Sequence, residues 1–203
     1  VVYGPARVDD LPAFLDAGMT AGPEMRRVRF GLRDRAVLIP VELVMGAKYV
    51  LLLAAAILLL GGLGTDGYAL FRVRTIGLPG AGIVLGSFLC AAVLGPMLLP
   101  WLPGRAFAIK GAVLGLVQVG AWAILGGPGL GTPVSGLHVA AWTLIVTALN
   151  SFFVMNFTGA STYTSLSGVL REMRFAVPAQ IASAVIGIGL WLTGLFVRNG
   201  GAA

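Results

Sequence analysis

The chain reads as an all-α integral membrane protein, a bundle of five transmembrane helices preceded by a short cytoplasmic segment. Three observations predict this. Of 203 residues, 58% are hydrophobic and 11% charged, whereas soluble domains run nearer half and a quarter. The mean hydropathy is +0.93. The apolar residues gather into five runs of about twenty, enough at 1.5 Å per residue to cross a hydrocarbon layer about 30 Å thick.

Residues 1–36 are polar and basic, with no apolar stretch of the kind a signal peptide carries. Asp9 and Asp10 ahead of Leu11-Pro12, with Gly18 beyond, predict a short helix from about Asp10 to Ala17. From Met25 the apolar residues Val28, Phe30 and Leu32 alternate with Arg27, Arg29 and Arg33, a period of two that predicts an extended segment. So short a segment cannot bury a core of its own. The chain opens on Val1-Val2-Tyr3 without a methionine and reads as a piece cut near a domain boundary, with residues 1–36 as a linker and 37–203 as the membrane domain.

The first span is expected over about 37–61. Its centre, Val50 to Leu60, holds eight large aliphatics. At about −0.3 to −0.6 kcal/mol each they outweigh Lys48, which costs about +3 kcal/mol at mid-span and less where it snorkels to the N-terminal interface. A Gly-rich connection with Asp66, Arg72 and Arg74 fills 62–80. The second span follows over about 81–99 and ends at prolines 96, 100 and 103. The third covers about 106–125, the fourth about 135–157 and the fifth about 176–197. Small residues four apart, Gly82/Gly86 with Cys90 and Gly111/Gly115, predict close helix approach.

Five spans put the termini on opposite sides, and the basic residues choose which. The N-terminal segment, the connection between spans two and three and the loop between four and five hold Arg7, Arg26, Arg27, Arg29, Arg33, Arg35, Arg105, Lys110, Arg171 and Arg174. The other side holds Arg72, Arg74 and Arg198. A split of ten to three predicts a cytoplasmic N-terminus in a multi-pass protein of the inner (cytoplasmic) membrane.

One cysteine, Cys90, and one histidine, His138, leave no internal disulfide, four-Cys iron–sulfur cluster or His/Cys zinc site within this sequence. Cys90, among Ala, Leu and Val, is expected to be a small buried apolar residue. A haem would want a second axial histidine, so His138 reads as structural or interfacial. Glu42 and Lys48 are six residues apart, about 240° around a helix, and do not face each other. Interfacial solvation or a bond to a neighbouring helix suits Glu42 better than an intramembrane catalytic role. The sequon Asn156-Phe157-Thr158 falls on the cytoplasmic side by the charge count and is discarded as a glycosylation site. No nucleophile–base set, phosphate-binding glycine loop or metal cluster can be assembled, and nothing points to nucleic acid.

The stretch that stands apart is Asn156 to Phe175, NFTGASTYTSLSGVLREMRF, a polar island between two apolar runs. It is dense in hydroxyls and glycines (Gly159, Gly168) and is expected to meet something outside the bilayer. NFTGASTYTSLSGVLREMR (156–174) resembles a motif of the membrane domain in the HgcA family, the corrinoid proteins of mercury methylation, and of corrinoid iron–sulfur proteins of the acetyl-CoA pathway. GPARVDDLPAFLDAGMTAGPEMRRVRFGLRDRAVLIPVEL (4–43) is similar to that family's segment between corrinoid domain and membrane domain. The family likewise carries five membrane helices after its soluble domain.

The resemblance implies a corrinoid (cobalamin) in an N-terminal domain whose cap helix presents a cysteine to cobalt. It implies methyl transfer from a folate-type donor to mercuric ion, with electrons from a ferredoxin-like iron–sulfur protein. That cap-helix motif is absent from this sequence, and Cys90 lies within a span. This chain is therefore expected to be the membrane anchor and cytoplasmic docking platform of such a methyltransferase, with the lipid bilayer and the upstream corrinoid domain as partners. It holds no cofactor and no catalytic residue itself. The docking or cofactor-binding residues expected on the platform are Asn156, Thr158, Gly159, Ser161, Thr162, Tyr163, Thr164, Ser165, Ser167, Arg171 and Arg174. The same features fit the anchor of a corrinoid protein serving acetyl-CoA metabolism. A small transporter fits less well, because Gln118 and Thr143 are too few to define a polar route.

Overall fold

A computed structural model describes residues 4–27, 31–125, 136–157 and 166–197. The fold is all-helical, with no strand among the described residues and five helices long and apolar enough to cross a membrane. The helices are α1 (Leu11–Asp16), α2 (Leu32–Ala36), α3 (Ile39–Leu60), α4 (Leu70–Leu98), α5 (Phe107–Ile124), α6 (Gly136–Asn156) and α7 (Leu166–Val197).

The short α1 forms where expected. A 3₁₀ turn at Val8–Asp10 precedes it, and Gly18 and Met19 with positive φ stop it. The extended segment expected from Met25 is not what forms on either side of it: Glu24–Arg26 is a 3₁₀ turn and Leu32–Ala36 is helical, while Val28 to Phe30 lie outside the described residues. Helix wins at α2 because Asp34 accepts the Gly31 N–H at 2.9 Å and so caps the first turn. Asp34 also meets Arg7 at 3.4 Å, tying the N-terminal segment to the head of the bundle.

The second and fifth helices begin earlier than the hydropathy predicts. Helix α4 starts at Leu70, eleven residues ahead of the expected Ala81, because its glycines and arginines are absorbed rather than left as a loop. Val73–Gly77 forms one wide π turn and Cys90–Leu94 another. Arg72 bends back from the helix to the turn before it: Nε donates to Gly62 O at 3.2 Å and Nη1 to Asp66 Oδ1 at 2.7 Å, with a further bond to Gly67 O. The Arg72 bond, helped by a backbone N–H, holds the Asp66 carboxyl below its ordinary range. Helix α7 starts at Leu166, ten residues ahead of the expected Ala176, and passes through Pro178. Leu166, Val169, Leu170 and Met173 recur at helical spacing, and a proline inside a membrane helix is tolerated where neighbours hold it.

Helix α6 is the hub. It packs on α4, α5 and α7, and its buried residues, from His138 through Trp142, Ile145, Val146 and Asn150 to Val154, lie on every face. Trp142 and Trp191 meet edge to face with centroids 6.1 Å apart, and Phe88 meets Phe153 at 4.8 Å. Outward faces carry Val44, Leu52, Leu59, Val117, Val185 and Phe196, as a lipid-facing surface should. Lys48 is exposed beside Tyr49, consistent with a side chain that runs to the interface.

Two of the four glycines expected at helix contacts are there. A Cβ on Gly115 would lie 2.8 Å from Thr147 Cα, and one on Gly111 would run into the Asn150 backbone, so α5 and α6 touch backbone to backbone. Gly82 faces open space and Gly86 has only ordinary contacts. The close crossing of α3 with α4 uses Gly61 and Gly77 instead, where a Cβ on Gly77 would strike Leu58 O.

Candidate functional site

The end of the bundle that carries the N-terminal segment is held by charged side chains reaching for carbonyls. Pro100 has no N–H to give Pro96 O, four residues back, and Pro103 has none for Leu99 O. Arg35 takes the first of these: its Nη1 donates to Pro96 O at 3.1 Å and to Met97 O at 2.9 Å, and the residue is 5% exposed. Lys110 takes the second, donating Nζ to Leu99 O. A cation against the free carbonyls of a helix C-terminus satisfies them and the dipole at once.

Beside this clamp three helices meet at one residue. The Ala108 N–H, orphaned in the first turn of α5, donates to Glu172 Oε1 of α7 at 2.6 Å. The Ala108 carbonyl accepts from Ser151 Oγ of α6 at 2.9 Å, and Gln180 Nε2 of α7 donates to the same Ser151 Oγ at 2.8 Å. Next to Ser151 on α6, Asn150 Nδ2 donates to Gln118 Oε1 of α5 at 3.0 Å. Thr143 bonds to Val139 O of its own helix at 2.7 Å.

From this junction a groove of about 720 Å³ runs between α5 and α7 with α6 as its floor. Arg105, Arg171 and Glu172 stand at one end, and Ser183 closes the other. Its walls are mainly small residues, among them Ala112, Ala148, Ala176 and Ala179, with Ile109 and Phe175.

The residues expected on the platform divide in two. Thr158, Gly159, Ser161, Thr162, Tyr163, Thr164 and Ser165 lie outside the described residues. Asn156 ends α6 and is exposed, while Ser167, Arg171 and Arg174 are exposed on the first turns of α7. Residues 166–175 are thus helix and not the loop expected there. Arg171 lines the groove. Arg35, Arg105, Glu172 and Gln180 carry the local geometry and are not among the platform residues expected from the sequence. Pro100 and Pro103, four residues past the carbonyls of Pro96 and Leu99, are the signal that marks the first of them.

Among the described residues no three His, Cys, Asp or Glu side chains gather as a metal site. Cys90 is half-buried in α4, less enclosed than expected, and the His138 ring is buried against Gly194. Glu42 sits partly exposed in the first turn of α3. No family model, curated protein or solved structure matches this chain.

Proposed function

We propose that this chain is the membrane anchor and cytoplasmic docking platform of a corrinoid-dependent methyltransferase acting on mercuric ion. The motifs at 4–43 and 156–174 suggest the family. The observation that carries the reading is that these two motifs arrive at one end of one bundle. Arg7 reaches Asp34, Arg35 is clamped onto the end of α4, and Glu172 of the second motif binds the start of α5 next to that clamp. A catalytic domain joined ahead of the first motif would therefore rest beside the second. The ten-to-three excess of basic residues supports a cytoplasmic position for this end, in the inner membrane. The corrinoid belongs to the upstream domain that the resemblance implies and supplies the methyl transfer there, with a ferredoxin-like protein as electron donor. This chain's part is to hold that domain in place.

The test is Thr162→Ala with Tyr163→Ala in the full-length protein. The expected result is weaker association of the corrinoid domain with the membrane domain and about tenfold slower methyl transfer, the size of one lost set of hydrogen bonds worth about 1.4 kcal/mol. Unchanged docking and unchanged transfer would remove the platform.

A further inference from the structure

We propose that the groove between α5 and α7 binds one phospholipid with an anionic headgroup, taken from the leaflet on the N-terminal side of the bundle. The site is independent of the methyltransferase reading and rests on three features of the groove itself.

The first is its length. From Glu172 to Ser183, helix α7 rises roughly 16 Å at 1.5 Å per residue, about half of a hydrocarbon core of about 30 Å. A groove that starts at the charged end of the bundle and stops there matches one leaflet.

The second is its wall. Alanines at 112, 148, 176 and 179 keep it open, and its volume of about 720 Å³ lies in the range of sites that enclose a small ligand. Because α5 and α7 both lean on α6, the opening faces outward to the lipid, where an acyl chain enters sideways.

The third is its charge. Arg105 and Arg171 stand at the interface end and make no ion pair with any described residue. The one acidic group in the groove, Glu172, is turned onto the Ala108 N–H at the positive end of α5. Two guanidinium-bearing side chains are left lining that end of the groove, and bidentate bonding to phosphate is what that group does best.

Native mass spectrometry of the purified full chain in detergent tests this, with phosphatidylglycerol and phosphatidylcholine of matched acyl chains as probes. Each arginine near a membrane surface favours an anionic headgroup by a factor of about five, so the expected preference for phosphatidylglycerol is about thirtyfold. Arg105→Gln with Arg171→Gln should abolish the preference. Arg26→Gln with Arg33→Gln, an equal charge loss on exposed positions at the same end, should keep it. Ala176→Phe, which fills the groove, should weaken both lipids. Glycerol 3-phosphate should fail to displace the lipid.

Equal affinity for the two lipids in the unsubstituted chain overturns the proposal. So does a preference that survives the groove substitutions, or one that is lost as fully in the Arg26/Arg33 variant. Displacement by glycerol 3-phosphate would show a headgroup site that does not use the groove. Should the arginine pair variant lose its helical circular dichroism, the Ala176→Phe comparison decides alone.

Discussion

At the scale of single residues, the membrane end of this protein is built on what proline withholds. Pro100 and Pro103 leave two carbonyls without donors, and Arg35 and Lys110 occupy them. Arg35→Met should therefore lower stability by about 2–3 kcal/mol, because a buried carbonyl loses a charged donor and gains nothing. Arg33→Ala, on an exposed position of the same helix, should stay within about 0.5 kcal/mol. Thermal unfolding in detergent measures both. Pro100→Ala restores an N–H for Pro96 O, so the double substitution should cost less than the sum of the singles. An additive result would mean that Arg35 acts through something other than these carbonyls.

At the scale of elements, each of the five apolar runs falls on a long helix, and two of those helices begin ahead of their runs. Arg72 and Arg74, with six glycines from 61 to 80, look like a connection because neither charge nor glycine suits a membrane helix. The structure shows why they are accepted in α4. Arg72 is satisfied by carbonyls of the preceding turn, and Gly77 is the point where α4 crosses α3 backbone to backbone. No pattern within one helix announces either fact, since both belong to a neighbour. The start of α7 was hidden in the same way: Pro178 resembles a first-turn proline, and the polar residues before it resemble a loop. Small-residue spacing was legible for Gly111 and Gly115 but pointed equally at Gly82, which faces nothing. Gly115→Ala should accordingly push α5 from α6 and cost about 1–3 kcal/mol, while Gly82→Ala should be neutral or slightly stabilising. Melting curves of the two variants, compared with the unsubstituted chain, separate these outcomes.

At the scale of the whole molecule, the five-span count, the single hub and the gathering of basic residues at one end form one pattern. The count was legible because five apolar runs are separated by glycine, proline or charge. The hub was not: α6 is as apolar as its neighbours, and only its burial on every face sets it apart. Topology gives the prediction at this scale. In a Cys90→Ala background, single cysteines at Arg7 and Thr162 should react with a membrane-impermeant thiol reagent from the same side, and one at Asp66 from the opposite side. Labelling of 7 and 162 from different sides would leave the two motifs on separate faces.

The Arg35 clamp also sets an order of events during synthesis. Its Nη1 acceptors lie 61 and 62 residues further along the chain, so the first span emerges with a guanidinium that can reach only the Gly31 carbonyl of its own turn. Only when the returning helix has been threaded to its last turn can that latch close.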